Sequence, residues 1–546
     1  METKLKKLPV GIQTFEKIRK GNYIYVDKTK YLVNLIDQEY ICFCARPRRF
    51  GKSLTVSTLD AMFSGKKELF EGLYAEEFMN RSDYHSSPVI RLDMSDVVTN
   101  KGIDMLETTI TMRVAEIAEK YGVDIPETYP PGEALRRLIK KAAEQDINGK
   151  VVILIDEYDK PYTDFYTNHQ MAENIRDVLR DFYSRIKAND QYIRFVFITG
   201  IAKFAKFGVF STMNNIKDIS MNEEYGELCG LTEAEIEKYF PEYIEATANK
   251  LDINRKELFE QVRKHYDGFC FDGVHRIYNP FSTLCFFDDK EFNDYWMKSG
   301  GSKMIADYLK SKNLTVEQFR NFSVLKSFLD EPGYLDATPP QGFLYQAGYL
   351  SIREKKSNKF ILDYPNTEVL NAMSALLAQN ILPSENTFGN LHNLMMEAME
   401  KKNANGIRSI LNALLASIPY DDYAGAVRQS VALDLLDVQV REWLYRSTIL
   451  AFLRGCGVAT VAEMHTNLGR PDLVISFIGN TFVIELKVAY QPEDVPAKLA
   501  EAVEQMESKN YLAPYPDCVG IAMVIDDTKR QITNDSYTVV DKSSVK

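Results

Sequence analysis

Hydrophobic and polar positions follow two rhythms along this chain. In the first part, short apolar runs separated by stretches of helical period predict alternating strands and helices, the layout of an α/β domain with a largely parallel sheet. The runs are "YICFCA" (40–45), "PVIRLDM" (88–94), "VVILID" (151–156) and "IRFVFITG" (193–200). Three of them are nearly continuous apolar stretches, as strands buried on both faces require. From Leu231 the texture changes, and "LTEAEIEKYF" predicts an amphipathic helix behind a Thr cap with Glu three residues later. Helices then dominate as far as "GFLYQAGYLSIREKKSNKFILDYPN" (342–366), which reads as two strands joined by the polar turn "KKSN". This middle region is either a helical lid followed by a winged-helix-like hairpin or simple packing between domains. The polar, turn-rich "LPSENTFGN" (382–390) is the candidate linker. After it come helices to about Leu453, a strand hairpin, another helix and a final strand "CVGIAMVID" (518–526). The expected domains are therefore 1–228, 229–385 and 386–546.

The late hairpin, "GRPDLVISFIGNTFVIELK" (469–487), carries two carboxylates and an ammonium on strands otherwise suited to burial. Gly479-Asn480, glycine first, suits a two-residue type II′ turn. Ile478 then opposes Thr481, Val474 opposes Glu485, and Asp472 opposes Lys487. One face holds Leu473, Ile475, Phe477, Phe482, Ile484 and Leu486, all apolar, and is core. The other face gathers Asp472, Glu485 and Lys487 at one end, with Asp472 and Glu485 as diagonal neighbours about 7–8 Å apart at Cα. Two such carboxylates, with the Leu486 carbonyl as a further donor, can hold a magnesium ion that keeps several waters. Lys487 can position or activate a water and offset charge on a phosphorane-like transition state. The same residues also fit a half-exposed strand pair with an Asp472–Lys487 ion pair worth a fraction of a kcal/mol. In "REWLYRSTILAFLRGCG", Glu442 heads an apolar stripe of Tyr445, Ile449 and Phe452, and in "LAEAVEQMESKNYL" Gln505 and Lys509 sit one turn apart. Each suits a site wall or a solvated face.

Length narrows the picture: 546 residues exceed one ordinary core and call for two to four domains. With 45% hydrophobic and 26% charged residues, the chain has a globular composition, which sets disorder aside. No run of eighteen or more apolar residues appears, and "METKLKKLPVGIQTF" has no apolar stretch behind its positive charge. The expectation is a cytoplasmic protein with no membrane partner. Seven cysteines without a CxxC pair suggest neither a disulfide framework nor a zinc site. The net charge of −11 argues against an overall electrostatic grip on nucleic acid but leaves a local groove open.

"RPRRFGKSLTVSTL" (46–59) follows a strand and opens a helix, the context of a phosphate-binding loop. In the general GxxxxGK[ST] pattern, backbone N–H groups cradle phosphates, a lysine neutralises them and a hydroxyl holds magnesium. Lys52 and Ser53 fit the last two roles, following Arg46, Pro47, Arg48, Arg49, Phe50 and Gly51. Arg46 stands where that pattern has its first glycine, and Pro47 has no N–H to offer. The strand end "VVILIDEYDK" adds Asp156 as a magnesium partner and Glu157 to orient an attacking water, while Thr199 ends another buried strand where a hydroxyl can sense a γ-phosphate. Taken singly, these features also describe an ordinary helix start and solvated turns; their order in the chain favours nucleotide binding.

The strings "GNYIYVDKTKYL", "RPRRFGKSLTVSTL", "LIDEYDKP", "FITGIAKFAKFGVFSTMNNIKDIS" and "YDGFCFDG...IYNPFS" resemble the AAA-ATPase-like family of bacterial and archaeal proteins that carry a C-terminal PD-(D/E)XK nuclease domain. The similarity covers most of the chain. Members share the Arg-Pro-Arg-Arg-Phe opening, so the missing glycine is a family trait. The resemblance implies that Tyr25, Asp27 and Lys28 lie near the nucleotide. It also implies that Glu442 is the helical acid, Pro471-Asp472 the PD element, Glu485-Leu486-Lys487 the ExK element and Gln505 the later helix residue. The implied fold is a P-loop NTPase-type α/β sheet, a helical and winged-helix-like middle region and a C-terminal restriction-endonuclease-like α/β domain. The implied activity is ATP binding and hydrolysis coupled to Mg2+-dependent cutting of nucleic acid, DNA in preference to RNA. Rival readings are a nucleotide-switched scaffold or signalling protein that binds without cutting, and a plain ATPase. A homo-oligomer and an arginine finger are left open.

Overall fold

A computed structural model of the protein describes residues 5–38, 41–99, 101–165, 168–201, 215–296, 305, 319–330, 340–357, 359–381, 385–416, 437–462, 471–515 and 517–540. The chain forms two compact units: residues 1–295 with 321–367, and residues 296–320 with 368–546. The middle region expected at 229–385 is thus shared, most of it belonging to the first unit. Parts of "FITGIAKFAKFGVFSTMNNIKDIS" (202–214) lie outside the described residues.

The first unit is built on β1 (Ile41–Ala45), β2 (Val89–Asp93), β3 (Val151–Asp156), β4 (Ile193–Gly200) and β5 (Ile216–Asp218). The four predicted strands end within a residue of their expected limits. All pairs are parallel, in the order β2-β3-β4-β1-β5. Every residue of β3 is buried, as its unbroken apolar run requires. Each fully covered aliphatic side chain there contributes about 1.5–3 kcal/mol. β5 escapes the sequence pattern because "IKD" has three residues and one apolar side chain. The chain leaves β1 toward β2 and leaves β4 toward β5, crossing in opposite senses, so a crevice opens at the carboxyl ends of β1 and β4. Helix α1 (Lys52–Phe63) starts at that crevice.

Beyond the sheet, α2 (Glu233–Tyr239) begins as predicted: Thr232 Oγ1 accepts from Glu235 N at 3.2 Å and Glu235 Oε2 accepts from Thr232 N at 2.8 Å. β6 (Phe322–Leu325), β7 (Ser351–Lys356) and β8 (Lys359–Asp363) form an antiparallel sheet in the order β6-β8-β7. The hairpin turns within "KKSN" as expected, but 340–346 is helical, ending before Gly348 at φ 83.

The second unit carries β9 (Ala459–Ala462), β10 (Leu473–Phe477), β11 (Asn480–Ala489), β12 (Cys518–Asp526) and β13 (Tyr537–Val540), in the order β13-β12-β11-β10-β9. β11 and β12 are parallel and the other pairs antiparallel. Helix α3 (Asp437–Gly455) packs Tyr445, Ile449 and Phe452 against Leu473, Ile475, Phe482, Ile484 and Leu486 on one sheet face. Helix α4 (Val495–Ser508) packs Ala502 and Met506 against Val483 on the other. The linker expected at 382–390 is corrected from residue 385 onward, which opens the helix Glu385–Glu400; 382–384 lie outside the described residues. Phe388 and Leu391 there pack on the core, and their burial overrides the polar local texture.

Candidate functional site

The loop from β1 to α1 turns through two left-handed residues, Arg49 at φ 67 and Gly51 at φ 93. Gly51 has open space around its Cα, so its backbone angle is what demands glycine. Arg46 and Phe50 turn inward. Arg46 is 1% exposed; its guanidinium donates to Ala45 O at 2.9 Å and Ser220 O at 2.6 Å and lies 4.8 Å over the Phe271 ring. Phe50 meets Phe269 and Phe271 edge-on. The "YDGFCFDG" string thereby supplies an aromatic platform beneath the loop. Pro47 is buried and its carbonyl accepts from Lys52 Nζ at 2.9 Å; Arg48 is half-buried, and exposed Arg49 lies over Phe281.

At the end of β3, Asp156 is buried, which lifts its carboxyl above the usual range; its hydrogen bond with Ser53 and the Lys52 charge pull the other way, while Asp93 and Glu157 add to the rise. Glu157 sits at φ 48, a left-handed conformation that costs a non-glycine residue about 1–2 kcal/mol, and its N–H donates to Asp156 Oδ1 at 3.1 Å. The buried Thr199 hydroxyl donates to Cys44 O at 2.8 Å, so it is engaged within the sheet. A mainly apolar pocket of about 100 Å³ beside the loop is lined by Tyr25, Lys28, Gly51, Thr55, Leu231 and Phe240, among others. Lys28 Nζ lies 2.6 Å from Glu235 Oε1, joining the early segment to α2. Asp27 accepts from Thr29 N at 2.9 Å and Tyr74 N at 2.7 Å and so anchors two loops.

In the second unit the hairpin turns at Ile478 and Gly479, with φ 45 and 76, the two positive angles of a type I′ turn. The expected Gly479-Asn480 turn is corrected, and with it the register: Val474 faces Val483, Ser476 faces Thr481 and Phe477 faces Asn480. Asn480 is a strand residue whose Nδ2 donates to Met399 O at 3.1 Å and Glu400 O at 3.2 Å, satisfying the end of the preceding helix. The pairing is displaced by two residues, so every side chain keeps its predicted face. Asp472 and Glu485 become direct neighbours across the strands instead of diagonal ones.

Leu486 N donates to Asp472 Oδ2 at 2.8 Å, Asp472 N to Glu485 Oε2 at 3.4 Å, and Lys487 Nζ to Glu485 Oε1 at 2.9 Å. The Leu486 N–H thus fixes one oxygen of Asp472. Glu485 is 1% exposed; burial and then the Asp472 charge push it up to about 7, against the pull of Lys487. Burial pulls the Lys487 ammonium down, but Glu485, Asp472 and Glu442 outweigh it and hold it above its usual range. Glu442 on α3 is raised by burial and by Asp472, with Lys487, Arg446 and Lys498 opposing. Arg446 Nη1 lies 3.6 Å from Asp472 Oδ1. Two carboxylates whose repulsion raises one of them are a donor set that a divalent cation would relieve, and a pair leaves room for the waters magnesium keeps. Among the described residues no three-ligand cluster of His, Cys, Asp or Glu forms.

Residues 9–210 match the family model described as "Predicted AAA-ATPase" and residues 440–534 match that of the "PD-(D/E)XK nuclease superfamily". A protein of Azotobacter chroococcum mcd 1, described as "Uncharacterized protein in vnfD 5'region", is 32% identical over 518 residues, covering 93% of this chain and 94% of its own. The chain belongs to the AAA-ATPase-like family with a C-terminal PD-(D/E)XK nuclease-superfamily domain. The residues matched to the ATPase-like family include β1 to β4 of the parallel sheet, and those matched to the nuclease superfamily include β9 to β12 of the mixed one.

In the ATPase-like domain the fold brings Lys52, Ser53, Asp156 and Glu157 to one end of the sheet and turns Arg46, Phe50 and Thr199 into the interior. In the nuclease-superfamily domain it brings Glu442, Asp472, Glu485 and Lys487 together. Gln505 Nε2 donates to the Tyr511 hydroxyl at 3.2 Å. Three neighbours escaped sequence reasoning. Asp93 ends β2 opposite Asp156, a strand-end acid like the one that flagged Asp156. Arg446 follows Glu442 by four residues, the spacing that shares a helix face. Lys498 had no local signal. Among the described residues no helix is long and apolar enough to cross a membrane, and all seven cysteines are free thiols.

Proposed function

We propose that the protein binds and hydrolyses ATP in its first unit and cuts a nucleic-acid phosphodiester, DNA before RNA, in its second, with magnesium serving both. The observation that carries the cutting is the meeting of Asp472, Glu485 and Lys487 on one end of one sheet face. Asp472 and Glu485 would hold the cation, whose chemistry when bound is to polarise a phosphoryl oxygen and acidify a water. Lys487, kept protonated by three acids, offers fixed positive charge to a phosphate gaining negative charge. Glu442 is a carboxyl able to take a proton from an attacking water.

In the first unit Lys52 would exchange the Pro47 carbonyl for phosphate oxygens. Ser53 and Asp156, already bonded to each other, would share a magnesium ion, and Glu157 would orient the attacking water. The apolar pocket beside Gly51 suits a nucleobase. Thr199 would sense the γ-phosphate from the end of β4, its hydroxyl exchanging or sharing the Cys44 carbonyl it now donates to.

The test is cleavage of single- and double-stranded DNA and RNA in magnesium, with and without ATP. Asp472→Ala and Lys487→Ala are expected to abolish cutting and leave ATP binding unchanged. Undiminished cutting by both variants refutes the site. Nucleic-acid binding by the wild type without any cutting turns the reading to the nucleotide-switched scaffold.

A further inference from the structure

We propose that Arg446 is a substrate-binding residue that exchanges between Asp472 and a backbone phosphate of the nucleic acid, with Lys498 as a second phosphate contact. This inference rests on the nuclease reading above. The two oxygens of Asp472 are held differently. Oδ2 takes the Leu486 N–H at 2.8 Å, a formed hydrogen bond, whereas Oδ1 faces Arg446 Nη1 at 3.6 Å, beyond hydrogen-bond length. The second contact is an ion pair longer than a hydrogen bond, between side chains 24% and 13% exposed.

A divalent cation taking Oδ1 would bring positive charge against the guanidinium, and like charges a few ångströms apart in a half-buried site repel strongly. Arg446 would then leave the oxygen it neutralises. Its planar fork matches a phosphate in bidentate fashion, and the partial exposure of the side chain gives it a route outward.

Lys498 comes from the other side. α3, bearing Arg446, packs on one face of the sheet, and α4, bearing Lys498, packs on the opposite face. Lys498 is 40% exposed and pairs with Glu501 at 2.7 Å. The helix that bears it packs on Val483, whose side chain shares a sheet face with Glu485 two residues on. Two cations thus stand on the helices that cover the two faces of the sheet carrying the acid pair. In a chain with net charge −11, which repels a polyanion at large, local cations of this kind are what can hold phosphates beside the acids.

The two residues should respond differently, and that difference is the test. The full-length wild type, Arg446→Gln, Arg446→Lys and Lys498→Ala are compared in two assays. Calorimetric titration with magnesium alone measures the metal. Binding of labelled DNA and RNA oligonucleotides in calcium across a salt series measures the phosphate contacts. Arg446→Gln is expected to bind magnesium several-fold more tightly and nucleic acid more weakly, with the slope of log K against log salt reduced by about 0.9. Arg446→Lys restores most of that slope. Lys498→Ala lowers the slope by a similar amount and leaves magnesium affinity unchanged. Loss of both affinities in Arg446→Gln shows a structural role and overturns the proposal, as does an unchanged slope when the wild type binds. A wild type that binds neither magnesium nor either polymer overturns the nuclease reading itself. Unchanged ATP binding and melting serve as the folding control; were Arg446→Gln to misfold, Arg446→Met, uncharged and of similar length, is expected to show the same tighter magnesium binding and shallower salt slope, and a wild-type slope in it overturns the proposal.

Discussion

Replacing Glu485 with Gln should make the metal-free protein more stable at alkaline pH, even though it removes an ion pair. Glu485 is 1% exposed and pushed from 4.5 up to about 7, chiefly by burial and then by Asp472. The folded state therefore holds this proton more tightly than the unfolded chain does. Between pH 4.5 and about 7 folding takes up protons, so stability falls as pH rises through that window and is level above it. The displacement corresponds to about 3 kcal/mol. The Lys487–Glu485 hydrogen bond at 2.9 Å is already part of that balance, because its pull on the carboxyl is included in the net rise. The net expectation for Glu485→Gln is within about 1 kcal/mol of zero at about pH 5 and a gain of up to about 3 kcal/mol at about pH 8, or roughly 6–12 °C in Tm. Calorimetry in a chelator reads this out on the transition of the second unit, identified as the one that ATP leaves unmoved. Added magnesium should raise the wild-type transition and the Glu485→Gln transition much less. A difference between the two proteins that stays constant from about pH 5 to 8 refutes the linkage and with it the picture of two acids forced together.

Three further outcomes follow from particular contacts. Glu157→Gln should keep ATP affinity and slow turnover; an unchanged hydrolysis rate moves the water-orienting role elsewhere. Phe50→Ala removes a side chain 1% exposed between two phenylalanine edges and should cost about 3–5 kcal/mol in denaturant unfolding of the first unit. A loss below about 1 kcal/mol would mean that the aromatic platform does not support the loop. Ile478→Asn relieves a β-branched residue at φ 45 that is 73% exposed, so it should stabilise the hairpin by about 1 kcal/mol, measured by denaturant midpoint, with cutting unaffected.

What the sequence determined by itself is what local periodicity encodes. Long apolar runs gave away β1 to β4 and β12, and the Thr232–Glu235 spacing marked the start of α2. The alternation around Asp472, Glu485 and Lys487 assigned each side chain to a sheet face. That same alternation could not choose the register, because a period of two is unchanged by a slip of two residues. Ile478 and Gly479 form the bend, and Asn480 is drawn into the strand by the helix end it satisfies, a partner about eighty residues away in the chain. The "LPSENTFGN" stretch reads as a linker for a related reason, since its helix is sustained by a core made of distant residues. Strand order, the inward turn of Arg46 and Phe50 onto Phe269 and Phe271, and the approach of Arg446 to Asp472 likewise join segments far apart in the chain. Such pairings leave no spacing to read, since they are set by which buried surfaces and unsatisfied polar groups meet once the sheets are assembled.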